Sequence, residues 1–283
     1  MSTASPQNFP RLRRTVNGWA GGWNRVGLQA QFYAETIKGI GDAFIRYKGE
    51  VVRLIAQMSL GVGALALIGG TVVIVGFLTL SAGSLIAVQA YSQLEEIGVQ
   101  ALAGFTSAFL NVRLVGPLVA GIGLAATIGA GATAQLGAMR ISEEIDALEV
   151  MGIRSVAYLA STRVVAGVIV VIPLYCVAVL MAFIATRTGT TLVYGQSTGV
   201  YDHYFNTFLN PMDVIYSFLQ AVSMAIVVML VHTYYGFNAS GGPAGVGEAV
   251  GRAVRTSLIA AVFVTLFVSL ALYGQSGGLN LSG

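Results

Sequence analysis

The stretch GAMRISEEIDALEVMGI, residues 137–153, decides how this chain must fold. Four of the twelve acidic residues, Glu143, Glu144, Asp146 and Glu149, fall within seven positions of it. Long runs with almost no charge flank it on both sides. A bilayer-spanning helix needs about 20 mainly apolar residues, and each flanking run is long enough to supply one. The acidic segment therefore reads as a short connection between two membrane crossings.

The rest of the sequence extends that pattern. Of 283 residues, 55% are hydrophobic and only 10% charged, against roughly 25% charged in soluble domains; the mean hydropathy is +0.77. Uncharged runs cover Leu54–Leu94, Leu114–Met139, Val164–Thr186 and Thr256–Gly283, and Val214–Gly247 carries only His232. The first run, 41 residues long, exceeds one crossing, and Ser81 to Ser84 offers a place to break it. The expectation is an all-α polytopic membrane protein with about five transmembrane helices, near 54–80, 114–139, 160–186, 212–236 and 255–274. A cleaved signal peptide fits poorly, because the first fifty residues are polar and basic and the first apolar run is late and long. The lone Cys176 has no partner for an internal disulfide.

Charge sets the topology. With the N-terminus in the cytoplasm, Arg11, Arg13, Arg14, Arg25, Lys38, Arg46, Lys48, Arg53, Arg140, Arg154, Arg163, Arg252 and Arg255 lie inside, and only Arg113 and Arg187 outside. This positive-inside bias predicts a multi-pass plasma-membrane protein whose C-terminus is outside. A pI near 9.1 would suit nucleic acid, but these cations flank spans and form no single patch, so no nucleic-acid partner is expected.

Residues 1–25 read as a flexible cytoplasmic N-terminus. Over 26–50, Tyr33, Ile37, Ile40, Phe44 and Tyr47 line one helical face, with Glu35, Lys38, Asp42 and Arg46 elsewhere. That predicts an amphipathic interfacial helix on the cytoplasmic leaflet, the alternative being a soluble helix packed on a partner. The permease-like body would then occupy 51–283. In span two, GPLVAGIGLAATIGAGATAQLGAM (116–139), Gly121, Gly123, Gly129, Gly131 and Gly137 mark helix packing or an interface, since close backbone approach drives helix association in lipid. Packing within one subunit and lining of a subunit interface or pathway both remain open. Pro173 should kink span three. VYDHYFNTF (200–208) suits a short outer interfacial helix. His203 there reads as a solvated residue and His232 as a packed polar group.

In the acidic segment, Ser142 is a candidate N-cap, Glu143 and Glu144 would sit in a first turn that favours anions, and Gly152 is a candidate terminator. This predicts a helix over 142–152, about ten residues and ~15 Å long. Ile145, Leu148 and Met151 would form its apolar stripe, and Glu143, Asp146 and Glu149 its acidic face. A carboxylate or metal site, a solvated loop and a docking helix compete for it. No His stands beside the carboxylates, which weakens the first.

EEIDALEVMGI (143–153), preceded by LGAM, resembles the signature of the MlaE/YrbE permease family of ABC lipid transporters. RLVGP (113–117), with 24 residues from Gly116 to Met139, and YYGFNASGGPAGVGEAVGRAV (234–254) extend the resemblance over most of the chain. It implies that residues 142–152 are a coupling helix contacting a cytoplasmic ABC ATPase dimer through Glu143, Glu144, Ile145, Asp146, Ala147, Leu148 and Gly152, with Glu149 on the same acidic face. It also implies a permease subunit, not an enzyme, with no cofactor bound directly and ATP used by the partner. Leu114, Thr127 and Gln135 are uncharged where the wider family often carries charge, and ASTRVVAG (160–167) lacks a proline common there. These departures resemble the B-type YrbE subunit of actinobacterial mammalian-cell-entry (Mce) systems, with an A-type YrbE partner and Mce proteins at the outer face. YDHYFNTFL and VHTYYGFNASGGP resemble the branch associated with sterol import. The implied substrate is a lipid, a sterol or a long-chain fatty acid.

Other readings are weaker. GGPAGVGEAVG (241–251) lacks the Gly-Lys-Ser/Thr ending of a phosphate loop and reads as a cytoplasmic turn. Asn238-Ala-Ser240 matches a glycosylation sequon but falls inside. An ion-coupled secondary transporter would place ionisable groups mid-span, where this sequence has none. A lipid-modifying enzyme would need a catalytic dyad that is absent.

Overall fold

The computed structural model describes residues 26–60 and 66–274; the expected flexible segment 1–25 lies outside them. The described residues form helices and no strand: 26–38 (α1), Ile40–Ile45 (α2), Lys48–Leu60 (α3), Ala66–Glu96 (α4), Ala103–Leu110 (α5), Gly116–Gly123 (α6), Ala130–Ile141 (α7), Glu144–Val150 (α8), Thr162–Thr188 (α9), Thr198–Phe208 (α10), Pro211–Phe237 (α11) and Gly242–Tyr273 (α12). Five stretches are long and apolar enough to cross a membrane: Gly70–Glu96, Gln100–Ile141, Val156–Val193, Pro211–Phe237 and Gly242–Tyr273. The protein is an all-α, multi-pass membrane protein.

Several boundaries differ from the sequence reading, each for a physical reason. Span one does not end at Ser81–Ser84, because α4 runs straight through. The Ser84 hydroxyl donates to the Leu80 carbonyl at 2.8 Å, so the serine satisfies itself without breaking the helix. Gly83 is small so that α9 can press against it. Spans two and three are 42 and 38 residues long, about twice what the hydrocarbon needs, and wide π-helical turns at Asn111–Val115, Leu124–Gly129, Val156–Ser161 and Gly189–Val193 extend them. α9 continues through Pro173. Span five starts at Gly242, not near 255: only Gly241 and Gly242 of the glycine-rich stretch have positive φ (91° and 72°). With a proline in its first turn, the remainder is helix. Arg163, expected in the connection, is buried near the start of α9 and donates to the Leu159 carbonyl at 3.0 Å.

The presumed single helix over 26–50 is broken near Gly39 and at Arg46–Tyr47. It shows two faces. Phe32, Thr36 and Ala43 are buried, with Gly39 lying against Ala157 and Ser161, while Ile37 and Phe44 point outward. The aromatic stripe read from the sequence is thus divided between protein and surroundings.

The core joins Val75, Leu124, Ile128, Leu174, Met224 and Met229, with Ala261 from span five. Spans one and five are the least enclosed, 28% and 11% buried, against 44–56% for the other three. At the end opposite α8, a buried polar chain ties four segments. The Tyr201 hydroxyl donates to Ser107 (2.7 Å), the Asn111 amide donates to Ser107 (3.1 Å) and Thr186 (2.9 Å), and Thr186 donates to the Gly83 carbonyl (3.0 Å). Arg113 bonds Asp213 at 2.8 Å and lies between the rings of Phe109 and Tyr273. At this end Arg187 also donates to Asp202 at 2.8 Å, a bond that holds the Asp202 carboxyl below the usual carboxylate range.

A methyl group at Gly83 would stand 2.7 Å from the Ala182 carbonyl oxygen, whereas one at Gly76 would meet nothing within 4 Å. Gly83→Ala is expected to destabilise the detergent-purified protein by about 1–3 kcal/mol. Gly76→Ala should be neutral or slightly stabilising, because alanine is the better helix former. Paired thermal melts check the difference.

Candidate functional site

The connection between spans two and three is short and firmly held. α7 ends in a turn in which the Ser142 amide donates to Ala138 (3.0 Å) and the Glu143 amide to Arg140 (3.4 Å). Glu143 adopts φ 60°, the only positive φ outside glycine among the described residues. A left-handed residue costs roughly 1–2 kcal/mol when it is not glycine, so the turn is strained. Ser142 does not cap the next helix, as the sequence suggested. Its hydroxyl lies 3.0 Å from the Ala138 carbonyl and donates to the Glu144 carboxylate at 2.9 Å. α8 consequently has seven residues, not ten. Its far end matches expectation: Gly152 has φ 75°, its amide donates to Glu149 (2.9 Å), and the Ile153 amide donates to Leu148 (3.0 Å). This paired arrangement closes the helix.

Packing decides which face is free. Ile145 is 0% exposed and sits with Leu136 and Leu159, joined by Met139, Leu148, Tyr158 and Phe237, so α8 is wedged under spans two, three and four. Met151 does not continue the Ile145–Leu148 stripe. Val150 and Met151 are 90% and 66% exposed. Three of the four acids are engaged within the chain: Asp146 with Arg140 (2.6 Å), Glu149 with Ser155 (2.6 Å) and Glu144 with Ser142. The Glu143 side chain and Ala147 remain on the exposed surface. The outward tip is therefore mixed, with an apolar pair the sequence reading missed. The signal was present in two adjacent large apolar residues before a terminating glycine, of which the periodicity argument assigned one to the core.

α1–α3 brace the same region. Arg154 pairs with Asp42, Ser161 donates to the Thr36 carbonyl at 2.7 Å, and the Tyr47 and Tyr158 rings meet edge to face at 5.1 Å. On α3, Arg53 donates to Glu50 at 2.6 Å, and this bond holds its guanidinium above its usual pKa. Between α1 and the end of α8 opens a cleft of about 520 Å³ lined by Glu35, Lys38, Glu149 and Arg154.

The five span-two glycines separate into two groups. Gly121 faces Met224, Gly123 faces Val75, Gly129 faces the His232 ring and Gly137 faces Val246, so these four bring the other spans of the same chain close. Gly131 meets nothing and lines a cavity. His232 is buried, its ring nitrogens 2.8 Å from the Thr133 hydroxyl and 3.1 Å from that of Ser257, so spans two, four and five share one polar contact. His203 is exposed on α10. Among the described residues no group of His, Cys, Asp and Glu is arranged to hold a metal.

A helical body of five spans with a short helix fixed beneath three of them and a free tip is the architecture of a polytopic membrane protein. The chain belongs to the Permease MlaE family, whose family model matches residues 62–271. It is similar to a probable ABC transporter permease protein of Rickettsia felis, 25% identical over 246 residues that cover 83% of this chain and 92% of the relative. A probable ABC transporter permease protein of Rickettsia bellii is 27% identical over 195 residues, 66% of this chain and 72% of the relative. Protein TRIGALACTOSYLDIACYLGLYCEROL 1, chloroplastic, of Arabidopsis thaliana is 27% identical over 201 residues, 70% of this chain and 57% of the relative. Permeases of this class are not themselves enzymes and work with an ATPase partner.

Ile145→Ala should free α8 from its seat. Removing such a buried side chain costs about 2–5 kcal/mol, here concentrated locally. Hydrogen exchange across residues 144–153 is expected to speed up markedly, while exchange in α9 and α11 stays slow.

Proposed function

We propose that the chain is the permease subunit of an ABC-type Mce lipid transporter that imports a sterol or a long-chain fatty acid across the plasma membrane. Its N-terminus is cytoplasmic, its C-terminus outside, and hydrolysis is performed by a cytoplasmic ATPase dimer. The observation that carries this reading is α8 itself, a closed helix locked to the base of three spans with Val150 and Met151 exposed at its tip. Exposed apolar residues next to charge, on a rigid support, are what a protein groove recognises. Glu143, Glu144, Ile145, Asp146, Ala147, Leu148, Glu149 and Gly152 then divide their roles. Ile145, Leu148 and Gly152 hold the helix, the paired acids fix its approach to the body, and Glu143 and Ala147 flank the contacting tip.

The family match and the relatives named as ABC transporter permeases support the ATPase partner. The thinly covered spans one and five, 28% and 11% buried, suit an A-type YrbE subunit as the second half of the permease. The polar clasp around Asn111 and Arg113 makes a firm outer platform for Mce proteins. Closure of the ATPase dimer would swing α8 and move spans two to four as a rigid body. The apolar interior suits lipid better than sugar or peptide, which would need buried polar partners.

The test is co-purification with the ATPase from native membranes. Val150→Asp combined with Met151→Asp should cut ATPase recovery and stimulation at least about tenfold, as loss of a contact centre does, with membrane insertion unchanged. Glu143→Ala, Asp146→Ala and Glu149→Ala together should weaken it less, since two of those acids brace the body. Normal ATPase binding by the Val150/Met151 variant would overturn the assignment, as would labelling of a cysteine at position 144 from outside the cell.

A further inference from the structure

At the end opposite α8, a cleft of about 300 Å³ is lined by Tyr91, Gly98, Gln100, Ala101, Gln196 and Val200. It lies where α4 ends and the short turn Gln100–Leu102 leads into span two. Gly98, with φ 73°, closes α4: its amide donates to the Glu95 carbonyl at 3.0 Å and the Val99 amide to that of Leu94 at 2.8 Å. The side-chain nitrogen of Gln196 donates to the Gln100 carbonyl at 3.0 Å, which leaves its own oxygen as the free atom. Both side-chain oxygens, Gln100 Oε1 and Gln196 Oε1, are buried with no hydrogen-bonding partner among the described residues. Buried acceptors left unpaired are costly, so this cleft is built to meet a donor. The Tyr91 ring, stacked on Tyr194 with centroids 4.5 Å apart, adds an electron-rich surface that attracts cations.

Charge at this end points the same way. Its arginines, Arg113 and Arg187, are paired with Asp213 and Asp202. Glu95 and Glu96 are exposed and belong to no ion pair among the described residues. Glu95 stands one turn beyond Tyr91 on the same face of α4, which puts its carboxylate beside the cleft. Two amide oxygens and one carboxylate offer three acceptors, the number that the three N–H groups of an ammonium require.

The surroundings show what carries that ammonium. The exposed Arg187–Asp202 pair marks the edge of the apolar layer. Leu192 and Val193, 80% and 76% exposed, follow Arg187 by a further turn or more, about 8 Å along the helix. Ile97, directly after the two glutamates, is 71% exposed. Large apolar side chains left open beyond the hydrocarbon mark contact with protein. A second copy of this chain has no lysine to offer there, since its only lysines, Lys38 and Lys48, lie on α1 and α3 at the α8 end.

We infer that this cleft receives a lysine side chain, flanked by apolar residues, from a separate protein that meets the permease at the end opposite α8. The inference rests on the reading that a protein partner covers this end, and names the group by which that partner is recognised.

The assembled complex in native membranes is treated with a water-soluble carbodiimide, which condenses a carboxylate with an amine in contact with it, and linked peptides are sequenced by mass spectrometry. Glu95 or Glu96 should be joined to a lysine of another protein. Glu95→Lys with Glu96→Lys should lower retention of that protein on the purified permease about tenfold, the margin of one hydrogen bond to a charged group. Gln100→Leu with Gln196→Leu should lower it by a similar factor. The glutamates are exposed, so their variant should fold even where the glutamine variant does not, and ATPase co-purification checks both. Replacing the linked lysine of the partner by glutamate should weaken retention alone and restore it when combined with Glu95→Lys. No link from position 95 or 96, a link to a lysine of this chain, a link to the amine of a membrane lipid, or unchanged retention in the glutamate variant would each overturn the inference. Where a protein still covers that end of the permease in those cases, only the lysine site falls. Where the unaltered chain holds no protein there, the partner reading falls with it.

Discussion

Close approach of span two to spans one, four and five is the constraint on which the rest of the structure depends. In lipid, helices gain little by hiding apolar surface from one another, so contact must come from backbones brought near enough for dense van der Waals packing. Gly121, Gly129 and Gly137 stand at successive levels of span two and receive Met224, His232 and Val246. Gly123 does the same for Val75 on span one. Span two is therefore keyed to span four at Gly121 and Gly129 and to span five at Gly137. The polar contact of His232 with Thr133 and Ser257 fixes the register near the α8 end. Moving span two independently of span four would break these fitted contacts.

Both ends of this unit are fastened, by different means. At one end α8 is anchored by Ile145 in an apolar pocket shared by three spans. At the other, polar groups do the fastening: Asn111 reaches Ser107 and Thr186, and Arg113 reaches Asp213 between two aromatic rings. Away from water such bonds have few competing partners, and leaving them unmade is expensive. The fastened unit thus runs from α8 to the far polar clasp, while spans one and five border it with their outer faces uncovered.

Much of this was legible in the residues. Five crossings follow from charge-free runs, because an uncompensated charge in hydrocarbon is so costly that its absence is informative. Gly152 was readable as a helix terminator, since few other residues accept φ 75° without strain. Boundaries were less legible wherever tertiary contact overrides local signals. Ser81–Ser84 looks like a break but packs as helix against α9, and Ser142 looks like a cap but turns back to α7. Gly242 onward looks like a loop, yet Val246 seated on Gly137 keeps it helical. The facing of Met151 was misread for a related reason. In a helix of two turns, one residue of uncertainty at the start rotates every assignment by about 100°.

The strained turn at Glu143 gives the connection a defined direction. A left-handed residue between α7 and α8 reverses the chain sharply, so α8 cannot continue the axis of span two and must fold back beneath the bundle. Glycine would make the same turn at less cost and with more freedom. A glutamate there limits the backbone to fewer conformations, and Ser142, Arg140 and Ser155 hold the neighbouring acids from both sides. A flexible linker would absorb a push at the tip as bending. A short, braced helix with a buried isoleucine at its centre passes displacement to whatever that isoleucine touches, which here is the base of spans two and three. The acidic cluster that marks this segment in the sequence therefore acts first on its own chain, stiffening the element, and leaves the few apolar atoms at its end exposed.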